Sequence, residues 1–357
     1  MSRRISVREI YLAPLVLCSA MVVSALVTSW LADIDPMPLL VPYFSASLAI
    51  TFMSVLLTIF WWVGGLARVQ ADAPLRTVKE RLRERALYLP LPAVIFPLFL
   101  ASFTATKTAI PFLVGYTWDP FWAHTDRLIF GDDVWRIAHH WLGNGATRPL
   151  EWFYVAVWGI GLIFIMALVP LNASAKFMAK FYTAMMLTWF VAGFVLAYLF
   201  SAAGPVFAHF VSTDSSVQFG DLRAVLATTL KPHGPIWTTQ LYLPSELHSH
   251  VAAKGGGISA MPSMHLAAVA IFVIGAWRTR WVLPALLMWL IIFISSGYFG
   301  YHYWVDGIAG AVIAALCWIA ADGLFQRHPG LRLAPRVSSP NVDDPHGIGI
   351  DPVPDAR

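Results

Sequence analysis

Charge is what this chain has least of. Asp, Glu, Lys and Arg together make up 12% of its 357 residues, apolar residues make up 58%, and the mean hydropathy is +0.65. A water-soluble domain carries about 25% charged residues, so the composition excludes a soluble fold and implies an integral membrane protein. Cysteine is nearly absent: Cys18 and Cys317 both sit deep in apolar runs, which reads as buried thiols and predicts no disulfide. There is no internal repeat, and the apolar runs hold no His-x3-His or Glu-x2-His pair. The net charge of +4 is no nucleic-acid footprint, because the basic residues occur in short clusters between apolar stretches, where they report membrane orientation.

What is present in quantity is apolar runs of about 20 residues, the length a helix needs to cross the hydrocarbon layer. About eight occur, at 11–31, 43–66, 89–112, 150–170, 178–201, 262–277, 281–298 and 303–323. The sixth and seventh are short and joined by the tight turn "WRTR" at 277–280. The first follows the basic leader "MSRRISVREI" but lacks a small-x-small cleavage site, so it reads as an uncleaved anchor. The predicted fold class is therefore an all-α integral membrane protein with about eight transmembrane helices.

Lysine and arginine are retained on the cytoplasmic side. Arg3, Arg4 and Arg8 precede the first span; "LARVQADAPLRTVKERLRER" at 66–85 follows the second. Lys176 and Lys180 follow the fourth, Arg278 and Arg280 the sixth, and Arg327, Arg332 and Arg336 the eighth. Every second connection is basic, whereas "LADIDPMP" at 31–38 has two aspartates and no cation. Both termini are thus expected in the cytoplasm.

Three segments follow from this layout. Residues 1–88 form an N-terminal transmembrane hairpin with a basic cytoplasmic loop. Residues 89–327 form the principal membrane domain, with outer loops at 113–149 and 202–261. Residues 328–357, rich in Pro, Gly and Asp without apolar periodicity, are expected to be a disordered cytoplasmic tail. Within the first outer loop, "TWDPFWAHTDRLIFGDDVWRIAHHWLG" at 117–143 has the spacing of a helix lying in the membrane interface. The second, with "SAAGPVFAHF" and "LKPHGPIW", reads as an irregular lid.

On that topology two stretches meet at one outer boundary. "ISAMPSMHLAAVAIFVIGAW" at 258–277 places His265 where loop gives way to apolar helix, shortly after the "KGGG" run at 254–257. "SSGYFGYHYWVDGIAG" at 295–310 places His302 four residues before Asp306, on one helix face, within reach of a carboxylate–imidazole bond. Two imidazoles with different neighbours can divide labour at phosphorus: one, held in a single tautomer, attacks, while the other, protonated, serves the leaving alkoxide. Gly255, Gly256, Gly257 and the free N–H groups at the start of the sixth span can gather around an anion.

At these residues the chain resembles the type-2 phosphatidic acid phosphatase superfamily, whose second and third motifs are P-S-G-H and S-R-x5-H-x3-D. "PSMH" at 262–265 and "SSGYFGYHYWVD" at 295–306 match in order, spacing and topology. The resemblance implies a catalytic helical bundle in which His302 is the nucleophile, His265 the general acid and Asp306 the orienter of His302. It implies no cofactor and no metal.

Three departures shift the comparison. Met264 stands where the motif has glycine, Ser296 where it has arginine, and no K-x6-R-P first motif is found. That pattern is similar to the branch of inositol phosphorylceramide and sphingomyelin synthases, as is "SAAGPVF" at 201–207. It implies transfer of a phospho-headgroup of inositol-phosphate type between lipids, with a membrane phospholipid as substrate and a lipid or alcohol as acceptor. A simple lipid phosphate phosphatase, acting on phosphatidate or a polyprenyl diphosphate, is the alternative. With arginines missing, Lys107 in an apolar span and Lys254 beside the glycines are the candidate phosphate cations, joined as substrate-binding residues by Ser263, Gly256 and Gly257; Arg223 and Lys231 have only their place in the outer loop to support them. Two histidines and a carboxylate can also hold a transition metal, so a metal-dependent membrane enzyme or transporter stays open, as does a lipid-binding scaffold.

Overall fold

A computed structural model describes residues 7–68 and 73–327 of the chain. Every regular element among them is helical; the sole extended contact there is an isolated bridge between Asp35 and Val251. Among the described residues six helices are long and apolar enough to cross a bilayer: α1 (Val7–Ala32), α2 (Leu40–Arg68), α4 (Leu91–Leu113), α7 (Asn144–Asn172), α8 (Ala175–Leu199) and α13 (Trp304–Arg327). They answer to six of the eight predicted spans. The other two, 262–277 and 281–298, become α11 (Met264–Ala276) and α12 (Val282–Tyr298), of 13 and 17 residues. At about 1.5 Å per residue these reach only about 20 and 26 Å, short of the roughly 30 Å hydrocarbon layer. A basic helix, α3 (Pro74–Ala86), follows α2. The predicted tail at 328–357 lies outside the described residues.

The long helices turn their polarity inward. Leu12, Val16, Val23 and Leu26 of α1 and Phe52 and Phe60 of α2 are exposed, whereas Ser47, Thr51, Ser54 and Thr58 form the buried face of α2. Lipid tails accept leucine as readily as a protein interior does, so small and hydroxylated residues gather where helices touch. At the centre α11 lies against α13, close enough for Ser263 N–H to donate to the Asp306 carbonyl at 3.0 Å. Glycine permits this approach: a Cβ on Gly310 would sit 2.6 Å from the Ser263 carbonyl oxygen, and one on Gly307 2.2 Å from a Leu266 methyl. The N-terminal helices belong to the same bundle, α1 packing on α4 and α8, and α2 on α4 and α7.

Contacts between connections fall into two groups. Arg85, at the end of α3, donates to the carbonyls of Pro170 and Ala173 at 3.3 and 2.5 Å, joining two basic connections. The acidic connection after α1 meets the second outer loop instead: the His250 ring bonds the Asp33 carbonyl at 2.8 Å, and Asp35 pairs with Val251. Cys18 and Cys317 are buried free thiols.

The outer loops are mostly short helices: α5 (Asp119–Phe130), α6 (Val134–Leu142), α9 (Gly220–Thr229) and α10 (Pro235–Ser245). The expected interfacial helix at 117–143 is thus two helices, split at Gly131 (φ +87°), and its role is larger than anchoring. Asp119 and Asp126, two turns apart on α5, are both buried. Asp119 accepts the N–H groups of Ala203 and Gly204, each at 2.8 Å, and the Tyr303 hydroxyl at 3.0 Å. Asp126 accepts the N–H groups of Trp304 and Val305 at 2.9 and 3.0 Å, capping the start of α13. One helix therefore clamps both the 201–207 loop and the turn that carries His302.

Candidate active site

The site forms where three loops converge on the C-terminal end of α4 and the N-terminal ends of α7 and α11. His302 lies in the tight turn between α12 and α13, started at Gly300 (φ +67°), where a Cβ would strike Leu222 at 2.4 Å. Its Nδ1 is 2.7 Å from the carbonyl oxygen of Ala260. A carbonyl can only accept, so Nδ1 must carry the proton and Nε2 is left with a free lone pair. Burial pushes this imidazole down to about 4; the Ala260 carbonyl works against that shift and the Lys107 cation adds to it. His302 is accordingly neutral at pH 7, the state a nucleophile needs.

Asp306 is placed differently from the sequence-based expectation. Its Oδ2 lies 3.6 Å from His302 Nδ1, beyond hydrogen-bond reach, and instead accepts the Tyr303 N–H at 2.9 Å. The immediate orienter of His302 is the Ala260 carbonyl, which no side-chain motif can reveal. Asp306 organises the turn around the histidine through its bond to the Tyr303 N–H. The i, i+4 argument assumed an unbroken helix through 302–306, whereas α13 starts only at Trp304.

His265, in the first turn of α11, is gripped by α7. Its ring stacks on Tyr154 with centroids 4.7 Å apart and lies 3.9 Å from the Trp158 ring, while Trp158 Nε1–H donates to its carbonyl at 3.2 Å. Tyr154 lies in a π-helical stretch of α7, Phe153–Val157, that Trp158 immediately follows; such stretches re-aim side chains and recur at functional sites. The rings of His265 and His302 stand 5.8 Å apart at 64°, an edge-to-face contact that puts both imidazoles at one place on the cavity wall.

Both histidines line one cavity of about 510 Å³, with Lys107, Lys254, Gly256 and Gly257 on its wall. Four of the five substrate-binding candidates thus converge. Gly257 (φ +74°) lies against α4, where an added Cβ would come within 2.9 Å of the Lys107 backbone. The glycine run therefore presses the loop onto the helix that supplies the cation. Ser263 does not belong to this wall: it is fully buried beneath the site, its N–H spent on the Asp306 carbonyl. Arg223 lines a separate cavity behind Phe207 and donates to the Gln218 carbonyl; Lys231 is exposed elsewhere. Among the described residues no group of three or more His, Cys, Asp or Glu side chains converges as a metal site would require.

Sequence reasoning missed Tyr154, Trp158, Asp119 and Asp126. The signals were an i, i+4 aromatic pair within the fourth span and an i, i+7 carboxylate pair in an otherwise aromatic helix.

Residues 125–320, more than half of the chain, match the PAP2 superfamily. The protein belongs to that superfamily and is a membrane enzyme of the lipid phosphatase or phosphotransferase type. No curated protein sequence and no solved structure matches the chain.

Proposed function

We propose that the protein transfers a phosphate-bearing headgroup, of inositol-phosphate type, from a membrane phospholipid to a lipid alcohol at the non-cytoplasmic face. The observation that carries this reading is the free Nε2 of His302 on a cavity shared with His265 and Lys107. Nε2 attacks phosphorus while the P–O bond to the lipid alkoxide breaks, and protonated His265 supplies the proton that makes the departing group a neutral alcohol. The acceptor hydroxyl then gives its proton to His265 and attacks phosphorus, breaking the N–P bond and restoring both imidazoles. Lys107 and Lys254 offset phosphate charge in place of the absent arginines. The paucity of arginine and the likeness to the inositol phosphorylceramide and sphingomyelin synthase branch support transfer over hydrolysis.

Product analysis with phosphorus-labelled phosphatidylinositol, with and without ceramide or diacylglycerol, tests this directly. Label is expected in a new phospholipid only when an acceptor is present. Release of water-soluble phosphate regardless of acceptor would replace transfer by hydrolysis.

A further inference from the structure

The cavity continues well past the catalytic histidines, and its chemistry changes along the way. At the histidine end its wall is polar: Lys107, Thr104, Tyr43 and the glycine run, with the Tyr43 hydroxyl 2.6 Å from Thr104 Oγ1. One turn deeper it is Phe103, Ala46 and Trp158; deeper again it is Leu100, Ile50, Leu162 and Ile163. Lys107 to Leu100 spans seven residues of α4, about 10 Å of helix. The Gly193 side is closed, since a Cβ there would strike Phe103 at 2.6 Å and Met264 at 3.2 Å. The α7 side is open: Gly159 has no atom within 4 Å of an added Cβ, and beside it Ile160, also on the cavity wall, is 59% exposed on the apolar exterior.

We infer that this passage is a slot for the apolar tail of the phosphate-bearing substrate, entered sideways from the bilayer between α2 and α7. Cations at one end and hydrocarbon at the other, in one continuous space, complement an amphiphile with an anionic head. α2 and α4, which supply one side of the slot's wall, precede the segment 125–320 that matches the superfamily, and α7, which supplies the other, lies within it. Ala46 and Ile50 on α2 and Gly159 on α7 are the residues that set its bore. The inference rests on the phosphoryl-transfer reading for the polar end.

Gly159→Leu tests it, because the new side chain enters open space on a helix that gains propensity from the change. The reading is the ratio of kcat/KM for dipalmitoyl phosphatidate in mixed micelles to that for p-nitrophenyl phosphate, which has the phosphate and no tail. This ratio is expected to fall about tenfold. Ile50→Trp, narrowing the slot from the opposite wall, is expected to act in the same direction and serves if the first variant folds poorly. A ratio within about twofold of the unaltered protein in the folded variants overturns the slot. Should the unaltered protein turn over neither ester, as an enzyme that transfers only diester headgroups would not, the phosphoryl-transfer reading is judged by the phosphatidylinositol assay and the slot by binding. Hexadecylphosphonate, unlike methylphosphonate, should then raise the Tm of the unaltered protein and not that of Gly159→Leu; equal shifts in both proteins overturn it.

Discussion

His265 and His302 differ in everything except residue type. His302 bonds a carbonyl and is buried to 4% exposure, which keeps it neutral with Nε2 free. His265 lies against the Tyr154 and Trp158 rings of α7, with its neighbour imidazole 5.8 Å away. The proposed division of labour between them can be tested by leaving group. His265→Ala should cost roughly two to four orders of magnitude in rate on an ordinary lipid phosphate, the range of general acid catalysis. The loss should be much smaller with p-nitrophenyl phosphate, whose leaving group needs little protonation. Equal losses on both substrates would remove His265 from the proton-transfer role. These two histidines were legible from "PSMH" and "HYWVD", because motif spacing survives translation into space. The Ala260 carbonyl was not, because a backbone acceptor leaves no trace in residue identity.

At the scale of elements, α5 holds the site together without touching the cavity. Its Asp119 gathers three donors, two of them from the 201–207 loop, and burial pushes its pKa up while those donors pull it down. Replacing it by alanine strands two buried N–H groups and a hydroxyl, each costing about 1–3 kcal/mol. Asp119→Ala should thus lower the Tm by several degrees and the activity with it, whereas Asp132→Ala, at an exposed position on the same connection, should change neither; thermal unfolding in detergent checks both. The amphipathic pattern at 117–143 revealed a helix and its aromatic face. It could not show the carboxylates as interior clamps, since a buried Asp in this setting depends on partners some 80 and 180 residues away. By contrast the short apolar runs at 262–277 and 281–298 appear with nearly those bounds as α11 and α12, because an unbroken apolar run marks its own helix.

For the whole molecule, alternation of basic connections predicts a site opposite the Lys- and Arg-rich end, and Arg85 contacts a second basic connection while His250 contacts the acidic one. Cysteine in place of exposed Lys254 should react with an impermeant maleimide in intact cells, and cysteine in place of exposed Thr279 should not. Cys18 and Cys317, being buried, add no background. The reverse labelling would turn the protein over and change its substrate pool. The bundle itself was legible because hydrocarbon demands long apolar runs; the cavity was not, because it arises from residues of α2, α4, α7 and α11 that only packing brings together. The most direct test of the central proposal is to mix the protein with phosphorus-labelled phospholipid, quench within one turnover and map the label. An alkali-stable, acid-labile phosphorus adduct on Nε2 of His302, absent from His302→Ala, is the expected result. Label on Nδ1, or on any other residue, would contradict it.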